Sequence, residues 1–246
     1  METSPQPSPA AAHLTGAAGA ILLAAQSAPG GFDPYWAVVG GKPALTWSVA
    51  ACARAAPLGA VALVVASDRL NDACALAEAE GWRYVRPVAA HGPQLRDAIA
   101  AGQAALPVDC HWVVLHDAAR PLLTPELILA GLTAAARTGV ACACEPVKET
   151  IKRARASAVT ETLERAHLAL LQTPQVFARE RLLALLDCDA GGQWADAAAR
   201  AAALGMPVAT FPGGHENLRV AAADDVALAE DVLARRQREA LGGAHG

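Results

Sequence analysis

An acidic and a basic residue lie three positions apart at the end of the most apolar segment of the chain. Residues 111–116 (HWVVLH) are followed by Asp117 and, after two alanines, by Arg120. A carboxylate can bind a divalent cation, and a guanidinium matches phosphate with two parallel hydrogen bonds. The pair is therefore a candidate site for a metal–nucleotide complex. The alternative is an Asp117–Arg120 ion pair that only stabilises the turn.

Three other segments carry residues suited to binding a small phosphorylated ligand. Residues 24–31 are small or glycine-rich, so their backbone N–H groups could approach a phosphate, although an ordinary loop has the same composition. Residues 149–153 place a threonine close to two cations, a pattern that a solvated surface also shows. Asn217 and Arg219 share one face if residues 215–220 are extended, but a role for Asn217 in capping the next helix competes with this interpretation.

Apolar runs alternate with segments of helical pattern over the first 145 residues, and this alternation must position the candidate residues. We predict strands at 19–25, 60–66, 83–88, 111–116 and 140–144, and helices at 43–55, 68–80, 95–105 and 124–137. The pattern is typical of a mainly parallel sheet covered by helices on both faces. Ligands bind such sheets at the carboxyl ends of the strands, which is where Asp117 lies.

Residues 147–171 interrupt the alternation, because they are charged and threonine-rich and have no helical period. We interpret them as an inserted β-arm. The core pattern then resumes, with helices predicted at 179–186, 195–204 and 224–238 and a strand at 208–211. The chain is thus expected to form one domain over residues 16–238, with a disordered tail at 1–15 and a flexible C-terminus at 239–246.

Composition excludes several classes of function. Of the 246 residues, 54% are hydrophobic and 18% charged, which argues against general disorder, and a net charge of −4 argues against a nucleic-acid polymer as partner. No apolar run is long enough to cross a membrane, and residues 1–12 lack the features of a secretory signal, so we expect a cytoplasmic protein. The six cysteines are expected to be free and mostly buried thiols without a metal site.

Four segments together resemble the 2-C-methyl-D-erythritol 4-phosphate cytidylyltransferases. They are HDAARP at 116–121, VKETIKR at 147–153, Glu164-Arg165 followed by QTPQ at 172–175, and NLRV at 217–220 followed by two aspartates. The resemblance covers about residues 16–236, and its HDAARP and TPQ stretches also occur in ribitol-5-phosphate cytidylyltransferases. It implies a three-layer, Rossmann-like α/β nucleotidyltransferase fold of the nucleotide-diphospho-sugar transferase type, with a mainly parallel sheet and a protruding β-arm.

The resemblance also implies a reaction. A phosphate oxygen of methylerythritol phosphate attacks the α-phosphorus of CTP, Mg²⁺ bridges the triphosphate, and pyrophosphate leaves; the product is 4-diphosphocytidyl-2-C-methyl-D-erythritol, an intermediate of non-mevalonate isoprenoid biosynthesis. The implied partners are CTP, an alditol phosphate and a second copy of the chain, in a homodimer formed through the arm.

Roles for individual residues follow from the same resemblance. The implied catalytic residues are Asp117, Arg120 and Arg219, of which Asp117 is also the metal ligand. The implied nucleotide-binding residues are Ala24, Ala25, Gln26, Ser27, Gly30, Gly31, Gly92, Ala98 and Ala118. The implied substrate-binding residues are Arg120, Thr150, Arg153, Arg165 and Arg219.

The sequence departs from the family pattern mainly on the triphosphate side. The first loop of the family normally supplies an arginine and a lysine, whereas here Tyr35 stands at the position of the lysine and the arginine is missing. Near the cytosine, Leu95 replaces an arginine and Ala98 replaces a serine. Arg219 replaces a lysine, so Arg96 and Arg219 are the candidates to supply the missing charge.

Two interpretations follow from this uneven match. The first is an active cytidylyltransferase that acts on methylerythritol phosphate or on another alditol phosphate such as ribitol 5-phosphate. The second is a degenerate member that no longer turns over and serves as a nucleotide-binding or dimerising module.

Overall fold

The computed structural model describes residues 18–25, 31–188 and 194–242. The predicted tail at 1–15 and residues 243–246 of the predicted flexible C-terminus lie outside the described residues. So do three of the predicted nucleotide-binding residues, Gln26, Ser27 and Gly30.

A seven-stranded sheet forms the centre of the described structure. Its strands are β1 (Ala18–Ala24), β4 (Leu58–Val65), β5 (Val85–Ala89), β6 (Trp112–Asp117), β7 (Val140–Pro146), β10 (Ala169–Ala178) and β11 (Ala209–Pro212). They are ordered β11-β7-β10-β6-β1-β4-β5. Neighbouring strands are parallel except that β10 runs antiparallel to both β6 and β7. The predicted mainly parallel sheet is confirmed.

Seven α-helices complete the described part of the fold. They are α1 (Ala44–Arg54), α2 (Leu70–Ala79), α3 (Leu95–Ala105), α4 (Pro125–Ala135), α5 (Arg179–Asp187), α6 (Ala197–Ala203) and α7 (Ala223–Gly242). Helix α7 continues past the domain boundary predicted at 238, since Glu239, Ala240 and Leu241 are good helix formers and the first glycine is Gly242, its last residue. Among the described residues, no helix has the length and apolar character needed to span a bilayer.

Two hydrophobic layers hold the helices on opposite faces of the sheet. Successive side chains of a strand point to opposite faces, so Leu22 of β1 packs in the layer that includes α1, α2 and α4. Its neighbour Ile21 packs in the layer that includes α3, α5 and α6. A third cluster joins α7 to the short hairpin of β2 (Val38–Val39) and β3 (Lys42–Pro43). The three-layer architecture predicted from the resemblance is confirmed.

The predicted arm is present as a second hairpin, formed by β8 (Lys152–Arg155) and β9 (Ala158–Thr162). Its base differs from the prediction, because residues 169–171 belong to β10 and pair with β7. Strand β10 was not predicted. Its register against β7 shifts between Leu171 and Gln175, and a strand containing Pro174 and a bulge has the sequence pattern of a loop.

All six cysteines are free thiols, as predicted. Cys74 and Cys188 are exposed rather than buried, because both lie on the solvent-facing sides of helices or helix ends. Cys142 and Cys144 lie on one face of β7 with their Sγ atoms 3.7 Å apart.

Candidate active site

A cavity of about 230 Å³ lies where the carboxyl ends of β1 and β6 meet the bulge of β10. Its polar lining includes Asp117, Arg120, Thr173, Asp196 and Arg219. The bulge is what brings Thr173 to this edge of the sheet, because the register shift displaces it from the β7 ladder. A second cavity, of about 360 Å³, lies beside residues 24, 25 and 31 and is also lined by Tyr35 and Arg69.

Asp117 and Arg219 form the central ion pair of the first cavity. The Nε–H of Arg219 donates to Oδ2 of Asp117 over 2.7 Å. The other carboxylate oxygen, Oδ1, accepts the backbone N–H of Ala119 over 3.0 Å. Burial lowers the pKa of the Arg219 guanidinium, but the carboxylate of Asp117 and, to a smaller extent, the Tyr35 side chain outweigh burial and raise it. The ion pair with Asp117 therefore keeps Arg219 charged.

Arg120 is a second, more deeply buried cation at the same cavity. Its Nη1 donates to the backbone oxygen of Asn217 over 2.6 Å, and its Nε is buried without a hydrogen-bond partner. Burial lowers the pKa of Arg120; the carboxylate of Asp117 opposes this effect and the nearby Arg219 adds to it. Asp117 thus pairs with Arg219, and the Asp117–Arg120 ion pair considered as the alternative is not the one that forms.

His116 fixes the turn that carries both residues. Its ring is fully buried, and burial lowers its pKa to about 4. The ring is therefore neutral at pH 7. The backbone oxygen of Arg120, 3.1 Å from Nε2, can only accept, so Nε2 carries the proton and Nδ1 accepts from the hydroxyl of Thr173 over 3.0 Å. The same Thr173 hydroxyl accepts the backbone N–H of Asp117 over 3.1 Å.

The segment before α7 is attached to the bulge of β10 by amide side chains. Asn217 donates from Nδ2 to the Gln172 side chain over 2.9 Å and to the backbone oxygen of Thr173 over 2.7 Å. Gln172 in turn donates to the backbone oxygen of Gly214 over 2.9 Å. Asn217 therefore does not cap α7; it holds the backbone from which Arg219 projects.

The predicted nucleotide-binding residues fall into two groups. Ala24, Ala25 and Gly31 line the second cavity. Ala118, Gly92 and Ala98 line neither cavity: Ala118 is buried directly after Asp117, Gly92 lies three residues before α3, and Ala98 is in the first turn of α3. A Cβ on Gly92 would come within 2.1 Å of an oxygen of Asp97, so a side chain at this position would displace the carboxylate that caps the N-terminus of α3.

The predicted substrate-binding residues of the arm lie outside the cavity of their own chain. Thr150, Arg153 and Arg165 are all exposed. Arg153 pairs with Glu161 across the hairpin at 3.2 Å, and Arg165 donates to the backbone oxygen of Lys148 over 2.6 Å. Both cations stay accessible to a ligand or to another chain.

Of the two candidates for the missing charge, only Arg219 lies in the cavity. Arg96 donates from Nη2 to the backbone oxygen of Leu186 over 2.8 Å. This contact directs the guanidinium of Arg96 to the end of α5, while its neighbour Leu95 lines the cavity. The possibility that Arg96 replaces the loop cations is therefore wrong: side-chain direction within a helix is not visible in the linear sequence.

The donor set fits a magnesium ion that arrives with a triphosphate. Mg²⁺ in nucleotide sites is held by one or two carboxylates together with phosphate oxygens and water. Each carboxylate oxygen of Asp117 accepts one hydrogen bond and so keeps a lone pair for a metal. Among the residues that the structure describes, no group of three or more His, Cys, Asp or Glu side chains is placed to hold a metal ion.

Several residues of the site carried no predicted role. Tyr35, His116, Gln172, Thr173 and Asp196 all belong to the site or support it. His116, Gln172 and Thr173 lie within stretches that carry the family resemblance, and that resemblance was the one feature of the sequence that could have assigned them to the site. Tyr35 and Asp196 are positions where the chain departs from the family pattern, so their place was not predictable in this way.

The fold and the site together define a class: a three-layer α/β nucleotidyltransferase with a carboxylate and two guanidinium groups at the carboxyl ends of its strands. Solved structures share this fold. The chain is similar to 4-diphosphocytidyl-2C-methyl-D-erythritol synthase from Anaerococcus prevotii, with a TM-score of 0.79 and 22% identity over 92% of this chain and 99% of that one. It is also similar to 2-C-methyl-D-erythritol 4-phosphate cytidylyltransferase from Thermus thermophilus, with a TM-score of 0.72 and 26% identity over 88% and 98% of the two chains.

Sequence comparison identifies the family within this class. The family model described as IspD, 2-C-methyl-D-erythritol 4-phosphate cytidylyltransferase, matches residues 20–235. The cytidylyltransferase of that name from Dehalococcoides mccartyi is 34% identical over 218 residues, which cover 87% of this chain and 95% of the relative. The chain belongs to the family of 2-C-methyl-D-erythritol 4-phosphate cytidylyltransferases.

Proposed function

We propose that the chain transfers the CMP group of CTP to 2-C-methyl-D-erythritol 4-phosphate and releases pyrophosphate. The observation that carries the proposal is the ion pair of Asp117 and Arg219, with the buried Arg120 beside it, at the carboxyl end of β6. Two guanidinium groups in one cavity suit a reaction in which negative charge accumulates on a phosphate.

The residues of the cavity have separate tasks in this reaction. Arg219 and Arg120 bind the α-phosphate and stabilise the charge that develops as the acceptor oxygen attacks in line. Asp117 orients Arg219 and offers an oxygen to Mg²⁺. When bound, the metal neutralises the triphosphate and so helps pyrophosphate to leave. Because Arg120 is already buried, it interacts with a phosphate in a medium of low dielectric constant, where the interaction is stronger than in water.

The nucleotide is proposed to lie along the second cavity. Ala24, Ala25 and Gly31 border it, and backbone N–H groups of a small-residue loop are suited to phosphates. Gln26, Ser27, Gly30, Gly92, Ala98 and Ala118 are proposed to complete this half of the site. Because the loop has neither the arginine nor the lysine of the family pattern, we propose that CTP binds more weakly here than in enzymes that have both.

The arm is proposed to serve the acceptor phosphate of a second chain. Thr150, Arg153 and Arg165 lie outside their own cavity, and an isolated two-stranded hairpin is only marginally stable in water. Val159 on β9 is 64% exposed, an apolar surface that a homodimer would cover. The free thiols of all six cysteines fit the reducing cytoplasm, where we place the protein.

A pyrophosphate-release assay tests the proposal. The purified protein is incubated with CTP and Mg²⁺ and with methylerythritol phosphate, ribitol 5-phosphate or no acceptor. We expect release that requires both Mg²⁺ and methylerythritol phosphate. Release only with ribitol 5-phosphate would contradict the proposed acceptor, and CTP binding without release under any condition would show a degenerate member.

A further inference from the structure

The first cavity holds a second carboxylate, Asp196, which has no task in the reaction as proposed so far. It lines the same cavity as Asp117, Arg120 and Arg219. We infer that Asp196 determines the specificity for the acceptor: one of its carboxylate oxygens accepts hydrogen bonds from hydroxyl groups of the alditol, while the arginines hold the phosphate. The inference rests on the proposed function and deepens it, because it names the part of the acceptor that the cavity recognises.

The orientation of Asp196 is fixed by neighbouring hydrogen-bond donors. Asp196 is the N-cap residue of α6, and its Oδ1 accepts the backbone N–H of Ala199 over 2.7 Å. The same oxygen accepts from Nε2 of Gln175 over 3.3 Å. The other end of this amide, Oε1 of Gln175, accepts the backbone N–H of Ala198 over 2.9 Å. The carboxylate of Asp196 is therefore held in one position by α6 and β10.

The second oxygen of this carboxylate, Oδ2, has no hydrogen-bond partner among the residues that the structure describes. The other acceptors in the lining are already engaged. The amide oxygen of Gln172 accepts from Asn217, and each carboxylate oxygen of Asp117 accepts one hydrogen bond. The hydroxyl of Thr173 accepts the backbone N–H of Asp117. An oxygen with all its lone pairs available suits ligand groups that donate hydrogen bonds.

The charges of the cavity place the two ends of the acceptor. A carboxylate repels phosphate and accepts hydrogen bonds from hydroxyl groups, whereas a guanidinium matches phosphate with two parallel hydrogen bonds. The phosphate of the acceptor is the attacking group, so it lies with Arg120 and Arg219, and the polyol chain extends to Asp196. Leu95 and Leu171 also line the cavity and offer apolar surface to the carbon chain.

This arrangement discriminates by what it leaves unpaired. A hydrogen bond to a charged group contributes more to binding than one between neutral groups. A phosphate ester without hydroxyl groups would remove water from Asp196 and give the carboxylate no partner in return, so a site of this kind rejects it. The predicted ligand class is therefore a short polyol phosphate rather than a simple alkyl phosphate.

The test measures binding of two ligands to three proteins. Methylerythritol phosphate and butyl phosphate share a phosphate on a four-carbon chain, but butyl phosphate has no hydroxyl groups. Their affinities are measured by calorimetry with Mg²⁺ and α,β-methylene-CTP, which cannot release pyrophosphate, so the readout needs no turnover. The wild type is compared with Asp196→Asn and Asp196→Ser, because asparagine and serine are also good N-cap residues and preserve α6.

We expect the wild type to bind methylerythritol phosphate at least about 10-fold more tightly than butyl phosphate. Asp196→Asn is expected to lower this preference at least about 3-fold, because the amide can form only neutral hydrogen bonds, and Asp196→Ser at least about 5-fold. Asp225→Asn is the matched control. Asp225 also accepts backbone N–H groups at a helix N-terminus, over 2.8 and 2.9 Å, but lies outside both cavities, so the preference is expected to stay unchanged.

Kinetics distinguish the acceptor from the ribose of CTP, which also carries hydroxyl groups. We expect Asp196→Ser to raise the KM for methylerythritol phosphate at least about 5-fold and the KM for CTP less than about 2-fold. A larger rise in the KM for CTP that is absent with 2′,3′-dideoxy-CTP would assign the contact to the ribose and overturn the inference.

The outcomes separate this inference from the proposed function. Binding of methylerythritol phosphate that depends on Asp196, without any product, would support the inference while the proposed function fails. Normal turnover with a ligand preference that stays within a factor of two in both Asp196 variants would overturn the inference and leave the proposed function in place. A wild type that binds the two phosphates equally would also overturn it.

Discussion

Arg219 donates its Nε–H to Oδ2 of Asp117 over 2.7 Å, although the two residues are 102 positions apart in the chain. The contact joins the end of β6 to the segment before α7. Asn217 attaches the same segment to the bulge of β10. The site is thus assembled from three distant parts of the chain, and its cations are oriented before any ligand binds.

Asp117→Asn tests the carboxylate at the centre of this arrangement. The amide is the same size as the carboxylate but removes the charge that orients Arg219 and would bind Mg²⁺. We expect kcat to fall about 10²- to 10³-fold, as when one stabilising group of a preorganised site is lost. Steady-state kinetics with saturating CTP measure this, with the exposed Asp109→Asn as control. A kcat within a factor of three of the wild type would exclude the assigned role.

Arg120→Ala tests the buried cation. The substitution removes a charge from the cavity together with the hydrogen bond to the backbone of Asn217. We expect a loss of kcat/KM of about 10²-fold or more, measured at several concentrations of the acceptor phosphate. Arg137→Ala, which removes an exposed arginine at the end of α4, is the control. Equal kinetics in the two variants would count against the role of Arg120.

The buried ring of His116 makes the stability of the fold depend on pH. Burial lowers its pKa from 6.5 to about 4, so below pH 6.5 the unfolded chain binds a proton that the folded chain does not. Stability is therefore present above pH 6.5 and is lost as the pH falls toward 4, by an amount on the order of 3 kcal/mol. Urea unfolding at pH 7.5 and 4.5 should show a smaller difference for His116→Gln than for the wild type. An equal difference in both proteins would mean that His116 is not the titrating group.

The proposed homodimer depends on the arm, so a substitution in the arm tests it. Val159→Glu places a charge on the exposed apolar surface of β9, which in the proposed homodimer becomes buried. We expect the dimer to dissociate at micromolar concentration and activity to fall, because Arg153 and Arg165 would no longer reach a second site. Light scattering measures the mass. Val108→Glu, at a position 91% exposed, is the matched control. A wild-type monomer would refute the dimer.

Local pattern predicted most of the fold but only part of the site. The alternation of apolar and helical segments predicted six of the seven strands of the described sheet. This worked because the periodicities that distinguish strands from helices are set by residues close together in the sequence. Strand β10 was not predicted, because Pro174 and the bulge around it interrupt the sequence pattern of a strand. Asp117 and Arg120 were predicted by a continuous motif. The contact of Arg219 with Asp117 depends on the order of the strands and on side-chain direction, which the linear sequence does not contain.

The central claim is that Arg219, held as the structure shows, promotes cytidylyl transfer to methylerythritol phosphate. ³¹P NMR of the wild type and Arg219→Ala with CTP, Mg²⁺ and methylerythritol phosphate tests it most directly, because substrates, pyrophosphate and the new diphosphate give separate signals. We predict that the wild type converts CTP and methylerythritol phosphate into pyrophosphate and 4-diphosphocytidyl-2-C-methyl-D-erythritol, and that Arg219→Ala does so at least about 10²-fold more slowly. Intact CTP after prolonged incubation with the wild type, or equal rates for the two proteins, would contradict the claim.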